Sequence, residues 1–119
     1  MGLMYVPVNI RKPGSKKPTY QAEFLVDTGA MDSMAPGTEL RKLGFKPVDV
    51  KRYKLADGRI RELPFMLAEI RFMGEITAGR VIFGPDDVRL LGVTALESAG
   101  IELDPVSGKL RHLPAILLM

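Results

Sequence analysis

The sequence predicts a mainly β protein: a small closed β-barrel with one short C-terminal helix, built as a single domain from residues 1–119. Three observations carry this expectation. Short β-rich runs recur along the whole chain, separated by Gly, Pro and Asp punctuation, as in small barrels. Asp57-Gly58, between Tyr53-Lys54-Leu55-Ala56 and Arg59-Ile60, is a strong tight-turn dipeptide. Val93 to Ala99 has the Ala, Leu and Glu content of a helix and is stopped by Gly100.

Taken in order, Leu3 to Ile10 alternates and is followed by the basic turn Arg11 to Pro18. Thr19 to Asp27 then resumes with Tyr20, Ala22, Phe24 and Val26 on one side, which makes a hairpin. Pro36 to Gly44 starts with Pro, ends with Gly and places Leu40 and Leu43 at helical spacing, enough for one or two helical turns. Val48 to Ile60 forms a polar hairpin about Asp57-Gly58. Strands are expected at Phe65 to Phe72 and at Glu75 to Phe83, closed by Met73-Gly74 and Gly84-Pro85. Val88 to Leu91 is a short apolar strand ending at Gly92. Ile101 to Asp104 and Lys109 to Arg111 flank another turn at Pro105 to Gly108.

Composition narrows the chemistry. With 119 residues and 46% apolar content the chain suits one domain with a real core. Cysteine is absent and His112 is the single histidine, so thiolate nucleophiles, disulfides and the common zinc sites are disfavoured; no metal and no cofactor are expected. The net charge of +3 is scattered except at Arg11, Lys12, Lys16 and Lys17, where no aromatic residue is interleaved to stack on bases, so nucleic acid is not an expected partner. No run approaches the roughly 20 apolar residues that span a bilayer, and the expectation is a cytoplasmic protein with no membrane partner.

Asp27 is the residue that draws attention. Phe24-Leu25-Val26 before it is strand and Thr28-Gly29 after it forces a turn, so its carboxylate sits where a core strand emerges into a loop. Alone, such an Asp is more often a turn former whose side chain bonds the backbone. The ordered set decides between these readings: Leu25-Val26-Asp27-Thr28-Gly29-Ala30, then Met34-Ala35-Pro36, then Leu55-Ala56-Asp57-Gly58-Arg59, then Leu90-Leu91-Gly92 running into Val93-Thr94-Ala95-Leu96-Glu97. At these residues the chain resembles the retropepsin-like aspartic peptidases, most closely their small bacterial and archaeal members.

The resemblance implies an aspartic endopeptidase active as a homodimer on a peptide or protein substrate. Asp27 takes the catalytic position; Thr28, Gly29, Leu90, Leu91 and Gly92 take the supporting ones. Ala30, Met31 and Asp32, with the hairpin Ala56, Asp57, Gly58 and Arg59 in the place of the flap, take the substrate-binding ones. General acid–base hydrolysis needs two carboxylates, and only one Asp-Thr-Gly exists here, so the second must come from another copy. The alternative is a dimeric peptide-binding module of the same fold with weak or no turnover.

Two departures accompany the resemblance. Met31 stands where retroviral members usually carry an acid and Val93 where they carry Arg, so both partners of that ion pair are missing together. Asp32 is open to two roles, a substrate subsite or a loop cap; Asp57, Asp86, Asp87 and Asp104 suit turns. Met31, Met34, Ile60 and Phe83 suit either hydrophobic subsites or core. The apolar tail Ala115 to Met119 suits either a strand in a dimer interface or packing on its own domain.

Overall fold

The computed structural model describes residues 3–114 and 116–118. A hairpin of β1 (Tyr5–Arg11) and β2 (Thr19–Asp27) opens the chain, in register from Tyr5↔Leu25 to Arg11↔Thr19. There follow β3 (Ser33–Pro36), α1 (Gly37–Lys42), β4 (Asp49–Lys54), β5 (Ile60–Phe72), β6 (Glu75–Gly84), β7 (Leu90–Gly92), α2 (Val93–Ala99), β8 (Ile101–Leu103) and β9 (Leu110–His112). The main sheet runs β1-β2-β7-β3-β6-β5-β4, and β1 also pairs with β5 through Ile10↔Ile70. That second pairing closes six strands into the expected barrel and leaves β4 outside the ring, bonded to β5 alone.

The two-residue period of a strand decides what the barrel encloses. Val6, Val8 and Ile10 of β1 point inward, as do Met66, Ala68, Ile70 and Phe72 of β5, while the residues between them face out. Phe24, Ile10, Ile70, Leu91 and Val81 are fully buried at the centre, and Leu40 of α1 joins them, plugging the barrel with an apolar side chain that has no exposure at all. Burying a leucine this completely contributes about 2 kcal/mol. That burial stabilises a helix of six residues with no side-chain cap, far too short to persist alone.

The structure departs from the sequence expectation in three places. There are two short helices rather than one, because α1 is held by Leu40 and not by propensity. Secondly, β3 was not expected, since Ser33-Met34-Ala35-Pro36 shows no alternation; it is a strand because β6 runs parallel beside it from Ser33↔Val81 to Pro36↔Gly84. Thirdly, β5 runs unbroken through Pro64. The Phe65 carbonyl faces β4, accepting the Val48 N–H at 2.8 Å, so alternation turns the Pro64 nitrogen to the opposite edge, one residue past the last β5–β6 pair, Phe65↔Ile82.

Ala115 and Met119 lie outside the described residues. Ile116, Leu117 and Leu118 belong to no strand and are 82%, 81% and 94% exposed, so this part of the tail does not pack on its own barrel.

Candidate active site

Asp27 is the last residue of β2, and the strand lying beside it comes from the far end of the chain. β7 pairs in parallel with β2 (Leu25↔Leu90, Val26↔Leu91, Asp27↔Gly92) and antiparallel with β3 at Met34↔Leu90, so it fills the gap between the two strands that flank the Asp27 loop. Leu91 anchors it by complete burial in the core.

This insertion fixes the loop through its backbone. The Val93 N–H donates to the Ala30 carbonyl at 2.8 Å; the Thr94 N–H and hydroxyl both donate to the Met31 carbonyl, at 3.2 and 2.7 Å. Inside the loop the Ala30 N–H donates to the Asp27 carbonyl at 3.1 Å. The Gly92 N–H, buried, donates to the Ser33 hydroxyl at 3.0 Å. Gly92 must be glycine for a steric reason: a Cβ there would lie 2.6 Å from the Asp32 carbonyl carbon and 2.8 Å from the Asp32 and Met31 oxygens, all backbone atoms. The approach of β7 to the loop thus depends on a missing side chain.

The Asp27 carboxylate is oriented by its neighbour, accepting the Gly29 N–H on Oδ1 at 3.0 Å. It opens onto a groove of about 640 Å³ between the loop and the β4–β5 hairpin. Gly29, Ala30, Met31 and Asp32 line the loop side of that groove, with Met34, Ile82 and Leu90 from the barrel; Lys51 to Ala56 and Leu63 line the hairpin side.

The sequence-predicted residues therefore separate into groups. Asp27, Gly29, Ala30, Met31, Asp32, Leu90 and Ala56 meet at the groove; Leu91 and Gly92 are buried behind the loop. Thr28 is exposed and not among the groove residues. Asp57, Gly58 and Arg59 form the hairpin tip beyond the groove, where Asp57 accepts the Arg59 N–H at 3.0 Å and its Nε at 2.6 Å. Of the four apolar candidates, Phe83 is core and Met34 lines the groove, while Met31 and Ile60 are 60% and 57% exposed.

Asp32 is only 4% exposed although it touches the groove. The Tyr53 hydroxyl donates to its Oδ2 at 2.6 Å and Arg80 Nη1 lies 3.8 Å from Oδ1. Burial, then the bond to Asp32 and the charge of that carboxylate, raise the Tyr53 pKa well above the tyrosine range, so the phenol remains a donor. Sequence inspection did not single out Tyr53, which sits among Lys and Arg in a polar arm.

A second missed cluster holds β7 from its other end. Arg89 donates from Nε to the Tyr20 hydroxyl at 2.8 Å and from one Nη to both Glu39 oxygens at 3.0 Å, while the Tyr20 hydroxyl donates to Glu39 at 2.5 Å. The Arg89 carbonyl accepts the Leu25 N–H at 2.9 Å, so the residue leading into β7 is tied at once to β2 and α1. Hydrogen bonds from Tyr20 and then Arg89 hold the Glu39 carboxyl below its usual range.

Asp27 is thus presented by a glycine turn at a strand end, braced by a crossing strand, and faces a groove under a hairpin. A family model described as aspartyl protease matches residues 6–93. The chain belongs to the aspartyl protease family. No individual curated protein matches it. The matched region runs from β1 through the Asp-Thr-Gly loop and the hairpin to the first residue of α2, and so contains every element that shapes the aspartyl protease groove.

Proposed function

We propose that this aspartyl protease is a homodimeric endopeptidase in which Asp27 of each copy forms one half of the catalytic dyad. The observation that carries the proposal is the Asp27 carboxylate itself: it is held on Oδ1 by the Gly29 N–H, opens onto the groove, and is the acid of the chain's single Asp-Thr-Gly. Two carboxylates a few ångströms apart hold one proton between them, the general behaviour of aspartic-protease dyads.

In the dimer the ionised Asp27 removes a proton from water, and the resulting hydroxide adds to the scissile carbonyl carbon. The protonated Asp27 of the other copy gives its proton to the carbonyl oxygen. Collapse of the tetrahedral adduct breaks the C–N bond as the first Asp27 gives the proton it took from water to the amine nitrogen and the second takes one back from an adduct hydroxyl, leaving a carboxylic acid, an amine and the dyad with its one proton. The exposed Leu3 and Tyr5 support association, since β1 pairs with β2 beside Asp27 through Tyr5↔Leu25, and the exposed Ile116, Leu117 and Leu118 give a second copy further apolar surface to cover.

Asp27→Asn is expected to abolish cleavage of a peptide library while sedimentation still gives a dimer. Cleavage that survives this change, or a protein strictly monomeric at micromolar concentration, overturns the proposal. Stoichiometric peptide binding by the unaltered protein, without cleavage at any pH from about 3 to 8, gives the alternative of a binding module.

A further inference from the structure

The charge along the groove is unbalanced. Lys51, Arg52 and Lys54 line its hairpin side, and Asp27 and Asp32 are the acids that line the other. Asp32 is already occupied: its carboxylate is buried, bonded to the Tyr53 hydroxyl and close to Arg80. Among the described residues, every ion pair with a carboxylate leaves Lys51, Arg52 and Lys54 out.

Lys51 is the best placed of the three. It is half-buried, it lies opposite the groove residue Leu63 in the β4–β5 register, and its Nζ rests 5.9 Å from the centre of the Tyr53 ring. Alternation along β4 puts Lys51 on the same face as Tyr53, whose hydroxyl reaches across to Asp32. The ammonium is thus held at the groove wall by an aromatic face, with its donors unused by any protein carboxylate. The remaining lining is apolar, with Met34, Leu55, Leu63, Ile82 and Leu90.

We propose that the groove selects extended peptides that carry a carboxylate side chain beside apolar ones, with Lys51 as the partner of that carboxylate. Asp32 does not oppose this selection, because its carboxylate is taken up by the Tyr53 hydroxyl and its charge is offset by Arg80, 3.8 Å away. A cationic side chain in the same position finds no free acid on the hairpin wall. This inference rests on the groove being the peptide site of the proposed endopeptidase, and its test separates the two.

The probe is a series of apolar peptides in which one Gln is walked through the positions flanking the cleavage point and replaced by Glu at each. At one position Glu is expected to raise kcat/KM roughly tenfold over Gln, the ratio of a single charge-assisted contact. Lys51→Gln brings that ratio to about one, and Lys51→Arg, which keeps the charge, retains it. The same peptides are titrated by fluorescence anisotropy against Asp27→Asn, so selectivity is read even if nothing is cleaved. Glu-selective binding without cleavage by the unaltered protein refutes the hydrolase and sustains this inference. A Glu-to-Gln ratio of one at every position, or one unchanged in Lys51→Gln, overturns it.

Discussion

Replacing Gly92 by alanine is the sharpest perturbation of the site, because the added methyl meets only backbone. Its Cβ would stand 2.6 Å from the Asp32 carbonyl carbon, whereas ordinary contact begins near 3.4 Å, so the loop must withdraw by about 0.8 Å. That movement lengthens the Val93 bond to Ala30 from 2.8 Å and the two Thr94 bonds to Met31 from 3.2 and 2.7 Å to the edge of bonding or past it. Three weakened bonds at roughly 1 kcal/mol each, with overpacking strain of about 1–3 kcal/mol, give an expected loss of about 4–6 kcal/mol. This is a large share of the 5–15 kcal/mol typical of a domain. Urea unfolding at fixed protein concentration checks it, with a midpoint shift of about 2–3 M expected at an m-value of about 2 kcal/mol/M. Gly79→Ala is the control: a Cβ there meets nothing within 4 Å, and the change should stay within about 0.5 kcal/mol. A Gly92→Ala midpoint no further from the parent than that of Gly79→Ala refutes the claim that the missing side chain sets the approach of β7.

Two further outcomes are expected. Tyr53→Phe leaves the buried Asp32 carboxylate without its hydroxyl donor, so stability should fall by about 1–3 kcal/mol and hydrogen exchange of the β4 amides should accelerate while β1 and β2 are unchanged. Because Tyr20 and Arg89 hold the Glu39 carboxyl below its ordinary value, Glu39 contributes stability that is present above the unfolded pKa and lost as pH falls through the lower folded one. Tyr20→Phe should therefore flatten the dependence of the urea midpoint on pH between about 5 and 3, the range that runs from just above the unfolded glutamate value of about 4.3 downward; an unaltered slope assigns the depression elsewhere.

Much of the barrel was legible because its strands obey local rules. Alternation marked β1 and β2, Asp57-Gly58 marked the β4–β5 turn, and Gly100 marked the end of α2. β3 was invisible because its extended form comes from β6 alongside, not from its own residues. α1 was only half legible, since two leucines at helical spacing do not reveal that one of them plugs a barrel.

The site divides in the same way. Asp27 and Gly29 carry their geometry in sequence, because a carboxylate and the N–H two residues on form a local turn. The Tyr53–Asp32 bond joins residues 21 apart and the Arg89–Tyr20 bond residues 69 apart, and neither residue type is unusual where it stands. Ser33 is equally silent: a serine after an aspartate suggests a cap, while its hydroxyl accepts from Gly92, 59 positions downstream.

The late position of β7 has a consequence for how the molecule comes into being. During synthesis the Asp27 loop leaves the ribosome long before the strand that braces it, since the Thr94 hydroxyl reaches back 63 residues to Met31. A nascent chain that ends short of Leu90 has the acid but neither the bracing strand nor the Gly92 contact, and contacts of such long range form last. In this order the Asp27 loop is among the final parts of the barrel to lock, when β7 brings Leu90 to the groove and Gly92 to the loop.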